Sequence, residues 1–133
     1  MIEVAAQGNV GLMVGMLDKM GQGGAARARL YTGLRGDTST LVAVVYFADV
    51  AGAVNATTGA LELAVGVESL VQNSTAPTWA RVSNGNEQHL FDCDARLSTT
   101  ADTGQELVIT APSGFYAGAS VQITSGAFTA LPA

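Results

Sequence analysis

The stretch ARARLYTG, residues 26–33, decides the class of fold. Successive side chains of a strand point to opposite faces. Ala26, Ala28 and Leu30 therefore fall on one side, and Arg27, Arg29 and Tyr31 on the other. The chain has only six Lys and Arg in all, so two arginines on one face of one strand raise a functional question: what do they face?

The neighbouring segments extend the strand reading. LVAVVYF, residues 41–47, is a continuous apolar run rich in β-branched residues and predicts a strand buried on both faces. Residues 56–71 alternate around Leu61, Leu63, Val65 and Val67, with Gly59 and Gly66 marking bulges or bends. Residues 79–82 and 87–93 flank Ser83-Asn84-Gly85-Asn86, a hairpin signal because Asn and Gly both tolerate positive φ. A two-residue loop pairs Trp79 with Leu90, and a bulged loop shifts that pairing by one; the sequence leaves both open. Arg96 and Leu97 end this strand or begin another. Residues 106–111 and 121–131 complete the set, with Pro112-Ser113-Gly114 turning between them.

Upstream, residues 9–20 predict a helix. Val10, Met13, Val14 and Leu17 share one apolar face, Asn9 is a candidate N-cap, and Gly21-Gln22-Gly23-Gly24 is a stop. Gly11 and Gly15 weaken the helix by about 1 kcal/mol each relative to Ala. Met13, Met16 and Met20 form an adaptable surface that either settles against a neighbouring molecule or caps one end of the domain. One helix followed by seven or eight strands, with no strand–helix alternation, predicts a mainly β fold. The expectation is an antiparallel β-sandwich, jelly-roll-like, with a short N-terminal helix; a small barrel is the other solution. Residues 1–24 read as an arm and helix, and residues 25–133 as the sandwich domain.

Composition narrows the function. Charged residues are 13% of the 133, against about 25% in an ordinary soluble domain. So sparse a charge points to a surface partly covered by a partner. With a net charge of −5 and one lysine, Lys19, the chain lacks the basic cluster that nucleic acid or an anionic membrane surface requires. The apolar run at residues 10–17 is too short to span a bilayer. Cys93 is the single cysteine, which excludes an internal disulfide and a multi-cysteine metal site. The acidic neighbours Asp92 and Asp94 disfavour its thiolate.

Motifs for chemistry are absent. His89 is the one histidine, near a hairpin tip and without a nucleophile elbow, and it reads as a solvent-facing or strand-pairing residue. Asp92 and Asp94 share a strand face and could flank a cation, yet no run of further oxygen ligands accompanies them. Gly21 to Gly24 lacks the Lys-Ser/Thr of a phosphate loop. The expectation is a protein that is not an enzyme and takes no cofactor or metal.

Several stretches together resemble a family of small bacteriophage virion proteins of the capsid cement, or decoration, type. They are Arg29-Leu30-Tyr31-Thr32-Gly33, the apolar strand ending in Phe47, Trp79-Ala80-Arg81-Val82 with the Asn84-Gly85 turn and His89, and residues 120–129. The resemblance spans most of the chain from Arg27 onward. It implies a non-enzymatic protein on the virion capsid surface that clamps the major capsid protein and bridges adjacent capsomers. It also implies self-association, a homodimer first and a trimer second, with Arg27, Arg29, Tyr31, Met13, Met16 and Met20 as candidate interface residues. A tail or head–tail connector component is an alternative. Another is a carbohydrate-binding module using Trp79, Tyr46 and Tyr116 as a platform. For the arginines, a partner's carboxylates compete with the simpler role of solvating an edge strand.

Overall fold

A computed structural model describes residues 6–99 and 107–128 of the chain, with side chains from residue 13 onward. The first five residues, Glu106 and residues 129–131, all parts of predicted segments, lie outside it. The elements are α1 (Ala6–Met20), β1 (Arg27–Tyr31), β2 (Leu41–Tyr46), β3 (Gly52–Val54), β4 (Leu61–Leu63), β5 (Ser69–Leu70), β6 (Trp79–Ser83), β7 (His89–Leu97), β8 (Leu107–Thr110) and β9 (Ser120–Phe128).

The strands form one curled mixed sheet, a half-barrel with the order β2-β1-β6-β7-β8-β9-β4-β3, and β5 also pairs with β9. The β7–β8 pair is parallel and the other pairs are antiparallel. The expected mainly β fold with one short helix is present, while the parallel pair and the single curled sheet do not make it clearly an antiparallel sandwich or jelly roll. Two nine-residue strands carry the curl by changing neighbours along their length. β7 pairs with β6 through its first half and with β8 from Ala95 onward. β9 pairs first with β5, then with β8, and at Ala127 and Phe128 with β4. Gly126, at φ 148, permits the last switch. Inside the curl lie Ala28, Leu30, Val45, Phe47, Val82, Leu107, Ile109, Val121 and Ile123, all fully buried.

Residues 66–73 run across the open side as a strap. Val67 N donates to Tyr46 O (3.0 Å) and Gln72 N to Val42 O (2.8 Å), while Gly66 N donates to Ile123 O (2.8 Å) and Val71 N to Ala119 O (2.9 Å). The strap thus joins edge strand β2 to β9. Gly66 is required there, because a Cβ would lie 2.5 Å from Tyr46 O and 3.2 Å from Ile123 Cβ. The predicted alternation through residue 67 accordingly stops at Leu63, and Val65 and Val67 turn outward.

β2 is not buried on both faces. A bulge between Leu30 and Tyr31 of β1 leaves Val42 as an extra residue turned inward, while Val44 is half-buried and Tyr46 is exposed. The helix begins at Ala6, so Asn9 sits within it and is no N-cap. Its apolar face is Met13, Met16, Leu17 and Met20, and Val14 is exposed. Met13 and Met20 belong to the same core as the strands, which fits the second of their two expected roles, a helix capping the domain, and leaves Met16 half-buried. Unbranched methionines fill the uneven gap between helix and sheet better than a β-branched valine.

The hairpin register matches neither expectation. Trp79 pairs with Asp94, Arg81 with Asp92 and Ser83 with His89, around a loop of residues 84–88. The cause is Asn84, which is turned inward and is 0% exposed. Its Oδ1 accepts from Asn86 N and Gln88 N (both 3.0 Å), and its Nδ2 donates to Gln88 Oε1 (3.1 Å) and to Lys19 O (3.3 Å). The positive φ falls on Glu87, at 62, rather than on the Asn-Gly pair. Gly85 N donates to Gln22 O (3.0 Å), and the Gly85 Cα packs against the Gly23 backbone so closely that a Cβ would overlap its carbonyl. Gly85→Ala should therefore destabilise the chain by about 2 kcal/mol or more, as overpacking against rigid backbone does. It should show as a lower urea midpoint at unchanged slope. A loss below about 0.5 kcal/mol would mean that the loop is not clamped.

Candidate docking surface

The register of β2, β1, β6 and β7 stacks three rows on the outer face of the sheet. They are Tyr46–Arg27–Ser83–His89, Val44–Arg29–Arg81–Asp92 and Leu41–Tyr31–Trp79–Asp94. Four of the six basic residues, Arg27, Arg29, Arg35 and Arg81, work on this face. Arg29 lies directly opposite Arg81, a pairing that repels unless carboxylates neutralise it. Glu87 and Asp92 supply them.

Glu87 reaches back from the hairpin loop and bridges both arginines of β1. Arg27 Nη1 donates to its Oε1 (3.0 Å) and Arg29 Nη2 to its Oε2 (2.7 Å). The two arginines thus face a carboxylate of their own chain. They do not guard an edge strand either, because β1 lies between β2 and β6. Arg27 also lies over the Tyr46 ring, 5.3 Å from its centroid. These pairs are half-exposed, and each contributes in the range of about 0.2–1 kcal/mol.

Arg81 grips Asp92 with two bonds, Nε to Oδ1 (3.0 Å) and Nη2 to Oδ2 (3.2 Å), and His89 Nε2 lies 2.9 Å from the same Oδ1. Burial alone would raise the Asp92 carboxyl, but the hydrogen bonds and charges of Arg81 and His89 outweigh it and hold the group below its ordinary value. Arg81 is raised in turn, chiefly by its hydrogen bond to Asp92. Arg35 Nη2 donates to Asp94 Oδ1. Asp92 and Asp94, which share a strand face, are each paired with an arginine. Among the described residues no group of three His, Cys, Asp or Glu could hold a metal ion.

Tyr31, expected at an interface, is buried and stacks on Trp79 with centroids 4.8 Å apart and planes at 23°. Arg81 covers the Trp79 ring at 5.4 Å, and Trp79 is 1% exposed. The carbohydrate platform thereby loses its tryptophan. Cys93 is buried on the inner side of β7, away from His89. A depression of about 260 Å³ beside the end of α1 is lined by Leu17, Asp18, Gly21, Gln22, Asp49, Val50 and Ala51. It brings together two carboxylates, with no nucleophile and no histidine.

Beside the charged rows lies an apolar strip that the sequence reading did not single out. Val65, Val67 and Leu70 on and beside the strap are 57%, 56% and 62% exposed, and the bridge between Tyr46 and Val67 sets that tyrosine in the same strip. Leu70 faces outward because its neighbour Val71 turns into the core opposite Ala43. The available signal was Gly66 itself, whose need for close backbone approach stops the strand and reverses the valines. In the described residues no helix is long and apolar enough to cross a membrane.

The Asp92 pairing sets a pH dependence. Its carboxyl is depressed in the folded state, so the stabilisation is present above the ordinary carboxylate range and is lost as pH falls below about 4 through the folded value. Asp92→Asn should lower urea stability at neutral pH by about 1 kcal/mol and flatten the loss on acidification. Identical pH profiles for the two proteins would show that the pairing contributes nothing. Comparison with known proteins gives no family model, no curated relative and no solved structure that matches this chain.

Proposed function

We propose that the chain is a non-enzymatic bacteriophage capsid cement protein that binds the outside of the major capsid shell and bridges adjacent capsomers. The observation that carries this reading is the apolar strip of Tyr46, Val65, Val67 and Leu70, held on a hydrogen-bonded strap and bordered by a row of fixed charges. An exposed apolar centre with a polar rim is the anatomy of a protein interface. The arginines keep a part in it as rim residues, Arg27 lying against the Tyr46 ring, rather than as the central contact. The sequence resemblance supplies the virion context, and the lack of a catalytic or metal constellation among the described residues is compatible with it.

A stable contact of ordinary size buries about 1,600 Å² in total. The strip covers only part of that, so a second contact with another copy, a homodimer or otherwise a trimer, would complete the attachment. Many symmetry-related copies then act together, and modest single-site affinity suffices.

Val67→Lys combined with Leu70→Lys should remove the protein from particles without unfolding it, because both side chains already face solvent. Cryo-EM of the native particle should show regular copies over the icosahedral head, lost in the double variant. Density confined to the tail or the portal vertex would move the chain to the connector reading. Unchanged occupancy of the double variant would sink the strip as the docking site.

A further inference from the structure

We propose that Asn84-Gly85 is a deamidation site that the fold holds shut, and that the deamidated chain cannot rebuild the joint between the hairpin and α1. Deamidation at this bond needs no partner but water. The Gly85 backbone nitrogen, on losing its proton, attacks Cγ of Asn84; the new C–N bond forms as the Cγ–Nδ2 bond breaks and ammonia leaves. Water then opens the cyclic imide at either carbonyl, giving aspartate or isoaspartate. Glycine presents no side chain to shield that nitrogen, so an Asn-Gly bond in a flexible chain is open to the reaction.

Each requirement of the reaction is blocked in the folded chain. The attacking N–H is engaged by Gln22 O at 3.0 Å. The carboxamide must rotate to present Cγ, yet four hydrogen bonds hold it, from Asn86 N and Gln88 N to Oδ1 and from Nδ2 to Lys19 O and Gln88 Oε1. Asn84 is 0% exposed, so neither base nor water reaches it. By contrast Asn55 and Asn73, each bonded through Oδ1 to backbone N–H groups of its own turn, are half-exposed and are followed by Ala and Ser.

The product does not fit the same place. An aspartate at this position has no donor for the backbone Lys19 O, so oxygen would face oxygen there whichever way the Gln88 amide turned, with a charge buried beside it. Isoaspartate adds a backbone methylene to a loop whose next residue, Gly85, already touches the Gly23 backbone. A chain that opens long enough to react therefore loses the way back.

The test uses the full chain, incubated in mildly alkaline buffer either folded or unfolded in guanidinium. Conversion at each asparagine is followed by peptide mass spectrometry and isoaspartyl methyltransferase labelling. In the unfolded chain Asn84 should convert ahead of Asn55 and Asn73. In the folded chain its conversion should be at least ~10-fold slower, following the population of opened molecules. Gln88→Ala, which removes one acceptor of the Asn84 amide, should speed conversion under native conditions. The converted fraction, returned to native buffer, should fail to recover the wild-type urea midpoint. Equal rates in the folded and unfolded chain, or a converted fraction that refolds with wild-type stability, would overturn the proposal.

Discussion

The contact between the hairpin loop and the end of α1 is the constraint on which the remaining geometry rests. Two glycine backbones, Gly23 and Gly85, meet without room for a side chain, and one buried amide, Asn84, satisfies groups on both sides. Because Asn84 is drawn inward, the loop lengthens and the register of β6 and β7 is set as observed. That register places Asp92 opposite Arg81 and sends Glu87 back over β1. The charged rows of the outer face are thus a downstream result of one polar group buried with its partners. A buried polar group left unpaired would cost about 1–3 kcal/mol, so the loop has little freedom to adopt another path.

The second constraint is closure. A curled sheet leaves an open side, and here residues 66–73 cover it by bonding to β2 and β9 at once. The strap must alternate like a strand, so turning Val71 into the core forces Leu70 outward. Gly66 ends the preceding alternation and leaves Val65 and Val67 outside as well. The exposed apolar strip follows from closing the half-barrel with a single narrow segment.

How much of this was legible in the sequence depended on how far each residue's partners lie along the chain. β1 was legible, since period-two alternation alone puts Ala26, Ala28 and Leu30 inside and Arg27 and Arg29 outside. Tyr31 keeps the outer face that the alternation gives it, but the Trp79 ring, on a strand far along the chain, covers it, and no local pattern records that. The helix was legible as an element, but its face was not: the methionines and valines offered two competing stripes, and the shape of the sheet beneath chose the methionines. The hairpin was legible and its register was not, because Asn84 answers to Lys19, 65 residues away. The parallel β7–β8 pair and the strap depend on which strands neighbour one another, and no local pattern records that. The same holds for Glu87, whose role beside Arg27 and Arg29 requires β1 and β6 to be adjacent.

The strap has one more consequence. A chain this rich in apolar residues and poor in charge is exposed to strand-on-strand aggregation wherever a sheet edge is bare. Of the two ends of this sheet, β2 has its outer backbone groups engaged by the strap, and β3 offers three residues with α1 packed beside it. Neither edge gives a second copy a long ladder to extend. Copies can then be crowded together, meeting through side chains rather than through backbone, without being drawn into fibres.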